Sequence, residues 1–75
     1  MTFAQRLGEN VAAARKRAGL SQEALYFRSE VHRTVISKVE RGESIPRADT
    51  VARLAAGIGV DPGELFAGIA MEAGR

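Results

Sequence analysis

Three observations predict an all-α fold, a compact bundle of five short helices. Apolar residues recur at three- and four-residue spacing in five separate blocks, and none alternates as a half-buried strand would. Glycine and proline divide the blocks, with no low-complexity tract between them. Polar residues suited to helix caps stand before three of the blocks: Thr2, Ser21 and Asp61.

Thr2 can cap the first helix, with Gln5 completing a capping box. Phe3, Leu7, Val11 and Ala14 form its apolar stripe. It ends in Arg15-Lys16-Arg17, a cationic run suited to the negative pole of the helix dipole, and Gly19 fits the left-handed turn that follows. Ser21 caps the second helix, a bond worth about 1 kcal/mol, and Leu20 and Leu25 hold the positions of a hydrophobic staple. This helix extends to about Ser29, because a new pattern starts at Val31. The third helix runs from Arg33 to Arg41. At about 100° per residue, Val35, Ile36 and Val39 share one face, while Arg33, Thr34, Ser37, Lys38 and Arg41 fall opposite. Gly42 stops it, and residues 43–46 form a loop. The fourth helix covers about Ala48 to Gly57, with Val51, Leu54, Ala55 and Ile58 apolar. Asp61, Pro62 and Glu64 signal the start of a fifth, followed by Leu65, Phe66 and Ile69.

Seventy-five residues make one domain, 1–75, and a core of that size is only marginally stable alone. There is no cysteine for a disulfide, and the single histidine, His32, has no second ligand with which to share a metal. A second copy of the chain is therefore the expected supplement, and no cofactor is expected. No apolar run reaches the roughly 18 residues of a membrane span and the N-terminus lacks a signal-peptide pattern, so a cytoplasmic protein without a membrane partner is expected. An enzyme or a small-molecule substrate is not expected, since the sequence has no histidine pair and no glycine-rich phosphate loop. Eleven Lys and Arg against nine Asp and Glu give a net charge of +2. The sequence pI is about 9.7. This balance permits nucleic-acid binding without requiring it, so the placement of charge decides.

The third helix supplies that placement. Two short helices joined by a tight turn between Ser29 and His32 match a helix-turn-helix unit at about 21–41. In such a unit the second helix lies in the DNA major groove, its N-terminal residues at the base edges. Arg33 can offer a bidentate fork to guanine, and Thr34 a hydroxyl together with methyl packing on thymine. Ser37 and Lys38, one turn on, can reach neighbouring bases or phosphates.

The segment GLSQEALYFRSEVHRTVISKVERGESIPRADTVARLAAGIGVDPGELF resembles the Cro/phage-repressor (XRE) helix-turn-helix family over about residues 5 to 66. The motifs SQE, HRTxIS, ERG and GVDPGELF carry the likeness, and they are specific in combination. FRSEVHRTVIS is most similar to controller proteins of restriction–modification systems, small dimers that bind operators upstream of their own genes and switch between activation and repression. The resemblance implies that Gln22 contacts a phosphate and braces the third helix, that Ser21 adds a phosphate contact, and that Arg41 lies beside the DNA backbone. It implies a buried salt bridge between Arg15 and Glu40, and it puts Glu23 where some activating relatives touch RNA polymerase. Three positions depart from the family. Tyr26 replaces a small residue, Glu30 replaces a turn glycine, and Glu43-Ser44-Ile45 replaces a basic or amide-rich loop, which predicts a weaker phosphate grip there.

Other residues leave two readings open. His32, Arg28 and Arg47 fit either contact with the DNA backbone or exposure to solvent. Of Arg15-Lys16-Arg17, one is expected to be structural and two solvated. Tyr26 and Phe27 are expected to pack rather than to stack on bases. Ile69, Ala70, Met71 and Ala73 exceed what the core needs, so residues 61–75 are expected to form a dimerisation helix and tail, with Leu65, Phe66, Ile69 and Met71 at the interface. The function expected is a homodimeric, sequence-specific regulator acting on a double-stranded, pseudo-palindromic operator. An antitoxin or phage-type repressor, or an interaction module that binds no DNA, are the alternatives.

Overall fold

The computed structural model describes residues 1–70. Four α-helices follow one another: α1, Phe3–Arg17; α2, Gln22–Ser29; α3, Arg33–Glu40; and α4, Ala48–Ile58. A 3₁₀ turn, Pro62–Phe66, closes the order, and the described residues include no strand. The helix count is thus one lower than the sequence predicts. Asp61 does cap the last element, its carboxylate accepting from the Gly63 amide at 2.8 Å, but the bonds that follow span three residues, from Glu64 to Asp61 and from Ala67 to Glu64. Six residues between Asp61 and the left-handed Gly68 (φ 73°) give too short a run to offset α-helix nucleation.

The other boundaries follow from local chemistry. Thr2 and Gln5 exchange capping-box bonds of 2.9 and 3.1 Å, and the Ser21 hydroxyl accepts from the Ala24 amide at 3.0 Å. The third helix ends one residue earlier than its pattern suggests, with Arg41 as cap, and the fourth one later, at Ile58.

The core is drawn from every element: Leu7 and Val11, Leu25, Ile36 and Val39, Leu54 and Leu65 are all completely or almost completely buried. Helix α1 packs on α3, α2 on α4, and the 3₁₀ turn on α1 and α4. The first two contacts are backbone-close. A Cβ on Gly8 would lie 2.2 Å from the Val39 carbonyl, and one on Gly57 would lie 2.8 Å from Ser29 Cβ. Asn10 fastens the 3₁₀ turn to α1, its amide donating to the Leu65 and Ala67 carbonyls at 2.9 and 2.8 Å.

Two apolar expectations are corrected. Val35 is 40% exposed, because the core side of α3 is centred between Ile36 and Val39 and Val35 falls on its flank. Leu65, expected at a subunit interface, is completely buried inside this chain, in the cluster between α1 and α4. Phe66 is exposed and meets Phe3 with ring centroids 6.4 Å apart, and Ile69 is half-buried against the core. Met71 lies outside the described residues. No helix among the described residues is long and apolar enough to cross a membrane.

The turn between α2 and α3 keeps a left-handed residue although it lacks glycine: Glu30 sits at φ 61°, ψ 18°, its amide donating to the Tyr26 carbonyl at 2.9 Å. An L-residue pays about 1–2 kcal/mol for this conformation, while glycine gives some back as unfolded-state entropy. Glu30→Gly is therefore expected to raise the unfolding free energy by about 0.5–1 kcal/mol, read by urea denaturation. A loss of stability would show that the Glu30 side chain compensates the turn.

Candidate nucleic-acid interface

With Ile36 and Val39 turned inward, α3 exposes Arg33, Thr34 and Lys38 to solvent, and Ser37 is half-buried beside them. Gln22, Arg33, Thr34, Ser37 and Arg41 line an open groove of about 380 Å³ along this face. Five of the residues singled out by sequence, four from α3 and its cap and one from α2, thus lie side by side. Such a surface offers hydroxyl and amide donors and two guanidinium forks, the donor set that reads base edges and phosphates.

The N-terminus of α3 is capped by an imidazole. His32 Nδ1 accepts from the Thr34 amide at 3.0 Å, so that nitrogen carries no proton in the capped form and Nε2 is left as the donor. Its ring is held against Tyr26, with centroids 5.0 Å apart, and Tyr26 stacks on Phe27 at 5.4 Å. Tyr26 therefore fits the short helix pair by lying half-buried over the turn. Phe27 corrects the expectation of a packed residue: it is 74% exposed, because its contact with Tyr26 covers one ring face.

The other candidates divide into anchors and surface pairs. Arg15 and Glu40 form a two-point bridge, Nε to Oε2 at 2.7 Å and Nη2 to Oε1 at 2.9 Å. Arg15 Nη1 also donates to the Leu20 carbonyl at 2.7 Å, and Gln22 Nε2 donates to Glu40 Oε1 at 3.1 Å. The bond to Glu40 raises the Arg15 pKa further above its ordinary value, with burial opposing and the Glu40 charge adding to the rise. Lys16 and Arg17 are exposed. Arg28 donates from Nε to the Gly57 carbonyl at 2.6 Å, so it ties the end of α2 to the last turn of α4. Arg47, the N-cap residue of α4, makes no cap bond with its side chain and pairs with Asp49 at 2.8 Å.

Sequence reasoning missed two further pairs. Arg33 stands 3.6 Å from Glu23, in the first turn of α2. Arg41 bonds Glu43 through Nε at 2.8 Å and Nη2 at 3.2 Å, and donates to the Ser37 hydroxyl through Nη1. The bond to Arg41 holds the Glu43 carboxyl below the ordinary carboxylate range. The only signal for these contacts was the presence of acids within reach of candidate cations, at Glu23 and in the run Glu40-Arg41-Gly42-Glu43.

Known proteins resemble the chain over most of its length. The family described as helix-turn-helix matches residues 11–65. The control protein C.BamHI of Bacillus amyloliquefaciens is 36% identical over 60 residues, covering 79% of this chain and 74% of its own. The crystal structure of the restriction-modification controller protein C.AhdI from Aeromonas hydrophila matches with a TM-score of 0.81 at 33% identity, over 84% of this chain and 96% of that one. The wild-type restriction-modification controller protein C.Esp1396I shares the fold, with a TM-score of 0.80 at 23% identity over 88% of this chain and 87% of its own.

The buried bridge generates a stability prediction. Arg15→Ala or Glu40→Ala strands the remaining charge and is expected to cost about 3–5 kcal/mol, a large share of what so small a domain has. The double variant Arg15→Ala, Glu40→Ala is expected to lose clearly less than the sum of the two single losses. Denaturation of all three would measure the coupling, and additive losses would mean that the two side chains act independently.

Proposed function

The chain belongs to the helix-turn-helix family, and we propose that it is a sequence-specific DNA-binding transcription regulator that controls a restriction–modification system. The observation that carries this reading is the outward face of α3, where Arg33, Thr34, Ser37 and Lys38 stand together on a helix whose other side is locked into the core. Identity of 36% to one control protein and 33% to a restriction–modification controller supports the biological setting.

On this reading α3 enters the major groove. Arg33 leaves Glu23 to take guanine O6 and N7 through its fork, Thr34 meets the adjacent base, and Ser37 and Lys38 reach bases one turn along. Ser21, Gln22 and His32 lie at the ends of the two helices nearest the groove and contact phosphates, with Arg41 at the far end of α3 and Arg47 beyond the loop. Arg28 contributes by holding α2 on α4. Two copies, joined through the surface around Phe66 and Ile69, set two α3 helices on half-sites one DNA turn apart, about 10 base pairs.

Selection of bound duplexes from a random pool tests the central claim. A pseudo-palindromic consensus is expected, and Arg33→Ala should lose about 1–3 kcal/mol of preference at one guanine position per half-site. Arg41→Ala should instead weaken all duplexes alike. A pool that yields no enriched sequence would end the proposal. Sedimentation at micromolar concentration tests the assembly. A particle of twice the 8.0 kDa chain is expected, reduced to a single chain by Phe66→Glu, and a protein that stays monomeric on its selected duplex rules the dimer out.

A further inference from the structure

The loop after α3 carries a carboxylate where phosphate affinity calls for a cation, and the fold aims it. Gly42, at φ 71°, turns the chain back over the end of α3, with its own amide donating to the Val39 carbonyl at 3.0 Å and the Glu43 amide to the Lys38 carbonyl at 2.9 Å. This helix-ending pair of bonds fixes the Glu43 backbone beside Arg41. The turn is itself pressed against α1, since a Cβ on Gly42 would lie 3.0 Å from Gln5 Cα. The Glu43 side chain therefore starts from an anchored position.

We propose that Glu43 is a built-in competitor for the phosphate-gripping guanidinium of Arg41, lowering affinity for every duplex without altering which sequence is preferred. The inference rests on the DNA-binding reading above. Glu43 takes Arg41 through two parallel bonds, Nε to Oε2 and Nη2 to Oε1, the same two-point grip by which a guanidinium holds a phosphate. Nη1 is engaged by Ser37, so each of the three nitrogens of the fork has a partner within the chain and only one N–H on each Nη is left over. Both side chains are about half exposed, at 54% and 53%, so neither is held in place by the core and the pair can exchange partners at the surface. Lys38 adds its charge to that of Arg41 in favouring the ionised Glu43 carboxyl. A DNA phosphate taking the two-point grip on Nε and Nη2 must therefore displace the Glu43 carboxylate, which then remains near the phosphate as a like charge. Because a phosphate contact carries no sequence information, its weakening scales all sites together.

The test is a binding cycle on the full chain, using the selected operator and an unrelated duplex of equal length. Glu43→Gln is expected to tighten both by about two- to five-fold, the range spanned by an exposed ion pair. Glu9→Gln removes the same charge from an exposed position on α1 and should change binding less. In an Arg41→Ala background, Glu43→Gln should gain no more than Glu9→Gln does. Equal or weaker binding by Glu43→Gln, or a gain that survives loss of Arg41, overturns the proposal. A wild-type protein that binds no duplex overturns the DNA reading as well, whereas one that binds while Glu43→Gln gains nothing overturns this inference alone.

Discussion

The orientation of α3 depends on the carboxylate of its last residue. Glu40 accepts from Arg15 through two bonds and from Gln22 through a third, while Arg15 also donates to the Leu20 carbonyl. One cluster thus joins the last turn of α1, the connection after it, the first residue of α2 and the end of α3. Rotating α3 about its axis would pull Glu40 from all of these at once and leave a guanidinium in a site where its side chain is only 11% exposed. Desolvation cancels much of what the bridge gains, so its main effect is on geometry: it admits one setting of the helix and penalises the others. Gly8 adds the second constraint, since only a residue without a side chain lets α1 approach the Val39 and Glu40 carbonyls so closely.

Most of the scaffold was legible because its signals are local. Thr2 with Gln5, Ser21 and Gly19 act within three or four residues of where they stand, and the structure uses each as the pattern implies. The Arg15–Glu40 bridge was legible only by resemblance, since nothing in composition selects these two charges from twenty. Val35 misled because a face drawn at about 100° per residue ignores where the neighbouring helices lie. By that measure Val39 is about 40° from Val35 and about 60° from Ile36, which puts all three on one side. The core lies toward Ile36, and eight residues are too few to show it. The last element misled for a related reason, because a cap, a proline and two apolar residues begin an α-helix and a 3₁₀ turn alike.

The cations of the interface were legible as residues but not in their partners. Arg33, Arg41 and Arg47 each meet a carboxylate, from Glu23, Glu43 and Asp49, and each of those contacts depends on a turn or on a neighbouring helix that periodicity does not resolve. A net charge of +2 gives no hint of this arrangement, since it reports the sum of the charges and not their pairing.

The chain therefore holds two kinds of arginine pair, and exposure separates them. Arg15 and Glu40, at 11% and 8%, cannot find water if parted, so their bond is part of the fold. The pairs of Arg33, Arg41 and Arg47 are more than half exposed on both partners, and water or a phosphate can replace either member with little loss. The two kinds act differently on the α3 surface. The buried pair fixes the setting of α3 against α1 and α2, and with it the direction in which the outward side chains of α3 stand. On the proposed reading, the exposed pairs hold the surface cations back from phosphate and leave the difference between sites to the base contacts of α3.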